Sequence, residues 1–150
     1  MDGPSLRLSW LNLLVFLPSG YHESQLKMTD AAVVVSNWKY SDSGTQKYIE
    51  FMIDNLATIC IRDDNGVPVG WMLQYPFLSI GMLHVLETHR GHGLGKYMIQ
   101  NLSKQLVDKG ETPYVYIMPE NKQSVKIHEQ CGYKNTGIKL MWLPTVSGWN

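Results

Sequence analysis

Leu78-Ser-Ile-Gly-Met-Leu-His-Val-Leu86, Arg90-Gly-His-Gly-Leu-Gly95 and the run from Lys96 to Gly110 together decide the fold. The first part alternates, with Ile80, Met82, His84 and Leu86 on one face and Gly81, Leu83 and Val85 on the other. That predicts a β-strand. The last part repeats Leu94, Met98, Leu102 and Leu106 at every fourth position, with Tyr97 beside them, and ends at Gly110, where a helix C-cap is expected. Between strand and helix lie three glycines. Such a turn at a helix start lets backbone N–H groups converge on one point, where the helix dipole adds partial positive charge. The combination predicts an anion cradle, most simply for a diphosphate. Arg90 and Lys96 either add charge to it or stand as solvated surface residues.

The spacing narrows what the cradle holds. A Walker A loop needs Ser or Thr after its Gly-Lys, and Gly95-Lys96 is followed by Tyr97. A dinucleotide-binding turn reads Gly-x-Gly-x-x-Gly, whereas here the glycines are Gly91, Gly93 and Gly95. In order and spacing, Leu83-His-Val85 followed by Arg90-Gly-His-Gly-Leu-Gly95 resembles motif A of the Gcn5-related N-acetyltransferase (GNAT) superfamily. That motif reads Arg/Gln-x-x-Gly-x-Gly/Ala after a Leu-x-Val strand. The resemblance implies an α/β fold with a mixed central β-sheet, its N-terminal strands antiparallel, splayed at the acyl-CoA site and flanked by helices. It also implies acyl-CoA as a co-substrate, with no permanently bound cofactor and no metal. Backbone groups of Leu83, His84 and Val85 would then follow the pantetheine arm. The amides of Arg90, Gly91, His92, Gly93, Leu94, Gly95 and Lys96 would surround the diphosphate.

A second signature follows. Asn121, Ser124, Ile127, His128, Gly132 and Tyr133 resemble the superfamily's Asn-x-x-Ala-x-x-Leu-Tyr-x-x-x-Gly-Phe framework, which adds Asn121 to the coenzyme site. His128 stands where the superfamily has a tyrosine that lies near the coenzyme sulfur and protonates the departing thiolate. A histidine titrates near 6.5 and is a competent acid, so the role survives the exchange on chemical grounds. A helix-surface histidine without chemistry is the alternative.

Over Leu26 to Gly148 the chain resembles the C-terminal domain of vertebrate glycine N-acyltransferases, through Asn37-Trp-Lys-Tyr40, Asp64-Asn-Gly-Val-Pro-Val-Gly-Trp71, Leu86-Glu-Thr-His-Arg90 and Leu143-Pro-Thr-Val-Ser-Gly148. This divides the chain into a divergent segment, 1–25, and an acyltransferase domain, 26–150. It implies transfer of an acyl group from an acyl-CoA thioester to glycine or another small amino acid, by direct attack in a ternary complex. The family's general base is a glutamate on the strand before motif A, and Ser79 falls at that position. Serine cannot be that base, although its hydroxyl can orient a water. His84 is the nearest titratable substitute, facing away from Ser79 by strand parity. Complete members carry a further N-terminal domain, and only the C-terminal one is recognisable here. Two other readings stay open: acetyl transfer to a peptide or polyamine, and acyl-CoA binding without catalysis. His128 and Cys131 lack an orienting third residue, which disfavours a cysteine nucleophile.

Composition sets outer limits. The 150 residues are 44% hydrophobic, enough for one domain with a real core. Thirteen basic against thirteen acidic side chains leave no general attraction to nucleic acid. Cys60 and Cys131 form neither a metal-ligand spacing nor a disulfide framework. No apolar run reaches the roughly 18 residues of a membrane helix, so no membrane partner is expected. Leu6 to Leu17 is apolar, but Asp2 and a lone Arg7 make poor flanks for a secretory signal, and an edge strand or the remnant of a preceding domain fits better. Location is mitochondrial by the family resemblance and otherwise cytoplasmic. The sequence does not specify oligomeric state.

The remaining elements read as follows. Asp30 caps a short helix over Ala31 to Trp38, although Val33-Val-Val35 would also suit a strand, and Tyr48, Ile49, Met52, Ile53 and Leu56 mark another helix. Asp63-Asp-Asn-Gly66 joins two strands as a hairpin. Tyr114 to Met118 reads as a strand, Asn121 to Gln130 as a helix and Lys139 to Leu143 as the last strand.

Overall fold

A computed structural model gives the structure of the chain and describes residues 15–136. Four strands form one antiparallel sheet in the order β1-β2-β3-β4: β1 Tyr21–Ser24, β2 Thr58–Asp63, β3 Pro68–Gln74 and β4 Ile80–Val85. The β2–β3 hairpin turns where its sequence demands. Asp63 Oδ1 accepts the amides of Asn65 and Val67 at 2.9 Å each, and Gly66 takes a φ of +79°, which glycine adopts without steric cost. No local pattern announces β1. It is a strand because Tyr21 to Ser24 pairs with Asp63 to Cys60, so the sheet begins inside the segment 1–25 that the sequence sets apart.

Helices cover both faces of the sheet: α1 Ala31–Ser36, α2 Thr45–Asn55, α3 Leu94–Asp108 and α4 Lys122–Gln130. On one face Leu94, Met98, Ile99, Leu102 and Leu106 of α3 pack against Ile59, Ile61, Val69, Met72 and Ile80. On the other, Ala31, Val34, Ile49 and Met52 of α1 and α2 cover Cys60, Trp71 and Leu73. Each such side chain, fully buried, contributes about 1.5–3 kcal/mol. Gly110 ends α3 as expected, with φ +84° and the Glu111 amide returning to the Leu106 carbonyl at 2.9 Å.

Three expectations need correction. Asp30 precedes α1 but its side chain makes no cap bond to that helix. Its carboxylate instead receives Arg62 Nη2 at 2.6 Å and Nη1 at 3.1 Å, with the Lys27 amide at 2.7 Å. Arg62 is 8% exposed, and a guanidinium at that depth needs a counter-charge more than the helix needs a cap.

The second correction is the alternation of β4, which breaks at Met82. Gly81 lies opposite Leu73 and His84 opposite Trp71, so Met72 faces both Met82 and Leu83. This β-bulge gives Met82 a φ of +53° and reverses every face after it. Leu83 and Val85 therefore join Ile80 on the α3 side, while Met82 and His84 lie on the α1–α2 side.

Third, Tyr114 to Met118 is not a strand. Only Val115 forms a bridge, parallel to Ile80, with the Ile80 amide donating to the Tyr114 carbonyl at 3.0 Å. β4, bent by its bulge, meets this segment only at that bridge, so the described sheet is antiparallel, not mixed, with a single parallel bridge at its outer edge. Lys139 to Leu143 lies outside the described residues.

Candidate active site

The cradle forms as β4 gives way to a 3-10 turn, Glu87–His89, an extended Arg90 and then α3. Gly91 and Gly93 have φ of +84° and +77°, and they turn the chain back into the helix. No side chain caps α3, and its first internal bond runs from the Tyr97 amide to the Gly93 carbonyl at 3.0 Å. The amides of Leu94, Gly95 and Lys96 thus point out of the helix end, as the first N–H groups of any helix do. Gly91, His92 and Gly93 are exposed around them. Gly95 has a different role: a Cβ there would come within 3.2 Å of Ile127 Cδ1, so it lets α4 approach α3. Arg90 is not free to reach outward by its Nε, which donates to the Val85 carbonyl at 2.9 Å and fastens the loop to the end of β4.

The outer edge of β4 adjoins this loop. Because the Leu86 amide bonds inward to the Val69 carbonyl, strand alternation turns the peptide groups of Val85 and Leu83 toward the open edge, and those of His84 toward β3. Of the three residues read as a pantetheine ladder, two therefore face the open edge, although the Val85 carbonyl is already held by Arg90 Nε.

His84 instead contributes its side chain. The imidazole stacks on Trp71 with ring centroids 5.3 Å apart. It lines a cavity of about 50 Å³ with Met82, Leu83, Val34, Asn37 and Trp38. Burial, and then the charge of Arg90, push its pKa below the ordinary 6.5, so the ring is neutral at pH 7. Ser79 is 1% exposed at the turn before β4, where its carbonyl accepts the Tyr75 amide at 2.7 Å, and it is no part of the cavity wall. Gly81 faces the same side as His84: its position lies against the Tyr75 ring, into which a Cβ would run.

His128 sits elsewhere. It is 3% exposed on α4, packed edge-on to Tyr133, whose hydroxyl bonds Ser103 of α3 at 2.6 Å. Nδ1 donates to the Ser124 carbonyl at 2.7 Å, leaving Nε2 as a buried lone pair without a partner. Burial pushes the pKa down against a smaller opposing effect of the Ser124 carbonyl. At neutral pH the ring is therefore mostly uncharged. His84 packs with the α1–α2 core and Tyr133 with the α3 core, so the two histidines are not brought together. Asn121 caps α4, its side chain accepting the Ser124 amide at 3.2 Å.

Sequence reasoning assigned no role to Trp38, Asn37 or Trp71. Their signal was present only as two tryptophans on separate elements, and nothing local says that they meet. Among the described residues no cluster of His, Cys, Asp or Glu is arranged to hold a metal ion.

A helix-covered sheet, splayed beside an uncapped glycine turn, defines the GNAT class. A Drosophila protein of known structure superposes with a TM-score of 0.73 at 25% identity, covering 81% of this chain and 41% of that one. AAC(6')-Iy, solved with the bisubstrate analogue CoA-S-monomethyl-acetylneamine, gives 0.68 at 19% identity, covering 83% of this chain and 98% of that one. In sequence, human glycine N-acyltransferase-like protein 1 is 28% identical over 111 residues, which are 73% of this chain and 37% of that protein. Residues 58–143 match the family described as FR47-like protein, and the chain belongs to that family. It spans little more than a third of the relative's length.

Proposed function

We propose that the chain is an acyl-CoA-dependent N-acyltransferase whose acceptor is glycine or another small amino acid. One observation carries this reading: the uncapped start of α3, with its two left-handed glycines, adjoins the stretch of β4 that has parted from the Val115 segment. A diphosphate fits the first and an extended amide-bearing arm the second. The likeness to a glycine N-acyltransferase-like protein supports the choice of acceptor.

The chemistry follows from what β4 presents. The acceptor nitrogen attacks the thioester carbonyl, forming the C–N bond while an electron pair moves to oxygen. Amides that alternation turns toward the open β4 edge, those of Leu83 and Val85, stabilise that charge. His84, neutral at pH 7, takes the proton from the amine, and the C–S bond breaks with the pair leaving on sulfur. The thiolate gains its proton from the His84 imidazolium or from solvent. His128 holds α4 against Tyr133 in this reading and transfers no proton.

Mixing acyl-CoA with glycine should release free CoA thiol. Release that is lost in His84→Gln but largely kept in His128→Phe supports these assignments. Absence of release with any small amine, despite CoA binding, overturns the enzyme reading and leaves an acyl-CoA-binding domain, which the burial of Ser79 at the family's base position would then explain.

A further inference from the structure

We infer that Asn37 orients the acceptor amine, and that its side-chain oxygen makes the site selective for primary amines. The inference rests on the acyltransferase reading above and deepens it on the acceptor side. Asn37 directly follows α1 and His84 lies within β4, yet both line the cavity beside that strand. The fold brings together two polar groups that are 47 positions apart in the chain.

The Asn37 amide has only one way round. Nδ2 donates to the Val33 carbonyl at 2.8 Å and, over a longer 3.4 Å, to Ser36 Oγ. A carbonyl oxygen can only accept, so the group against Val33 must be the nitrogen. The nitrogen is thereby committed to α1, and the oxygen is the end that Asn37 offers the cavity. The backbone behind it is tied as well. The Asn37 amide bonds the Val34 carbonyl at 3.2 Å, and the Trp38 amide bonds the Val35 carbonyl at 3.1 Å. An acceptor oxygen fixed in this way costs little to order when a donor arrives.

His84 is the second polar group on the same wall, its ring stacked on Trp71. An oxygen and a neutral imidazole together call for two N–H groups, and a neutral primary amine has two. One is donated to His84 and leaves as the proton. The other is donated to Asn37 Oδ1 and remains as the N–H of the amide product. The nitrogen lone pair is left to form the C–N bond while the C–S bond breaks with its pair on sulfur. A secondary amine has a single hydrogen, which His84 must take, so Asn37 Oδ1 loses its donor in the transition state.

The ratio of kcat/KM for glycine and N-methylglycine, with acetyl-CoA as donor, tests this. The unmodified chain should favour glycine by about tenfold or more. In Asn37→Leu, and in the smaller Asn37→Ala, that ratio should fall by about fivefold or more, while CoA affinity by calorimetry stays within about twofold. A merely structural role at the end of α1 would lower both substrates together. A ratio unmoved in the variants, or N-methylglycine used as well as glycine by the unmodified chain, overturns the inference and leaves the acyltransferase reading standing. Release of CoA thiol with neither amine, while CoA itself binds, overturns that reading and the role of Asn37 with it.

Discussion

Gly93 stands at the start of α3 with φ +77°, a conformation that costs other residues about 1–3 kcal/mol. Gly93→Asp adds a negative charge beside the outward amides, and CoA affinity measured by calorimetry should fall at least tenfold. Unchanged affinity would remove the diphosphate from this loop. At His84 the sign of the pH effect is set by burial. The ring titrates below 6.5, so kcat/KM should hold to that pH and fall only as the imidazole protonates below it. His84→Gln should abolish that acid limb and lower kcat/KM by about 10²–10⁴-fold. A limb that persists in the variant belongs to another group. His128 acts on stability. Its folded pKa is depressed, so between 6.5 and that lower value the unfolded chain binds the proton more readily, and stability is lost as pH falls through this window. Urea unfolding at pH 7 and pH 5 should show a smaller pH dependence in His128→Phe, with His84 supplying the remainder.

Among the elements, β4 joins the cradle to the sheet, and its bulge determines which side chains meet a substrate. Gly81 keeps that geometry by letting Tyr75 lie flat on the strand; Gly81→Ala drives a Cβ into a packed ring and should cost about 1–3 kcal/mol, read as a lowered urea midpoint. The helix α3, the hairpin and α4 were legible in the sequence because periodicity, Gly66, Gly110 and the Asn121 cap act within a few residues. The bulge was not. Gly81, an isolated glycine inside the strand pattern, is the one local mark of it, and that mark does not say that the alternation slips at Met82. β1 escaped notice for a related reason: four residues carry too little pattern, and pairing with β2 alone makes them a strand.

Across the molecule, the Asp30–Arg62 pair ties the start of α1 to the middle of the sheet. Arg62 also reaches Ser24 Oγ at 2.8 Å and the Gln25 carbonyl at 3.0 Å, so one guanidinium gathers three segments. Burial raises the Asp30 pKa, but Arg62 and the Lys27 amide outweigh it and hold the carboxyl below its ordinary 3.8. The pair's contribution is therefore present above that pH and is lost as pH falls toward the folded value. Arg62→Leu strands a buried carboxylate and should cost about 3–5 kcal/mol in thermal or urea unfolding. The double variant Arg62→Leu with Asp30→Leu should lose less. Equal losses would mean that the arginine acts through packing alone.

By itself the sequence determined the glycine turn, the helix behind it, the hairpin and the helices α2 and α4, because each depends on backbone preferences or apolar spacing within a single segment. Only the tertiary structure decided that His84 and not Ser79 lines the cavity, that His128 is a buried neutral ring and that Asp30 serves Arg62. Those outcomes depend on contacts between residues distant in sequence, where one bulge or one buried charge redirects side chains that local pattern would have sent elsewhere.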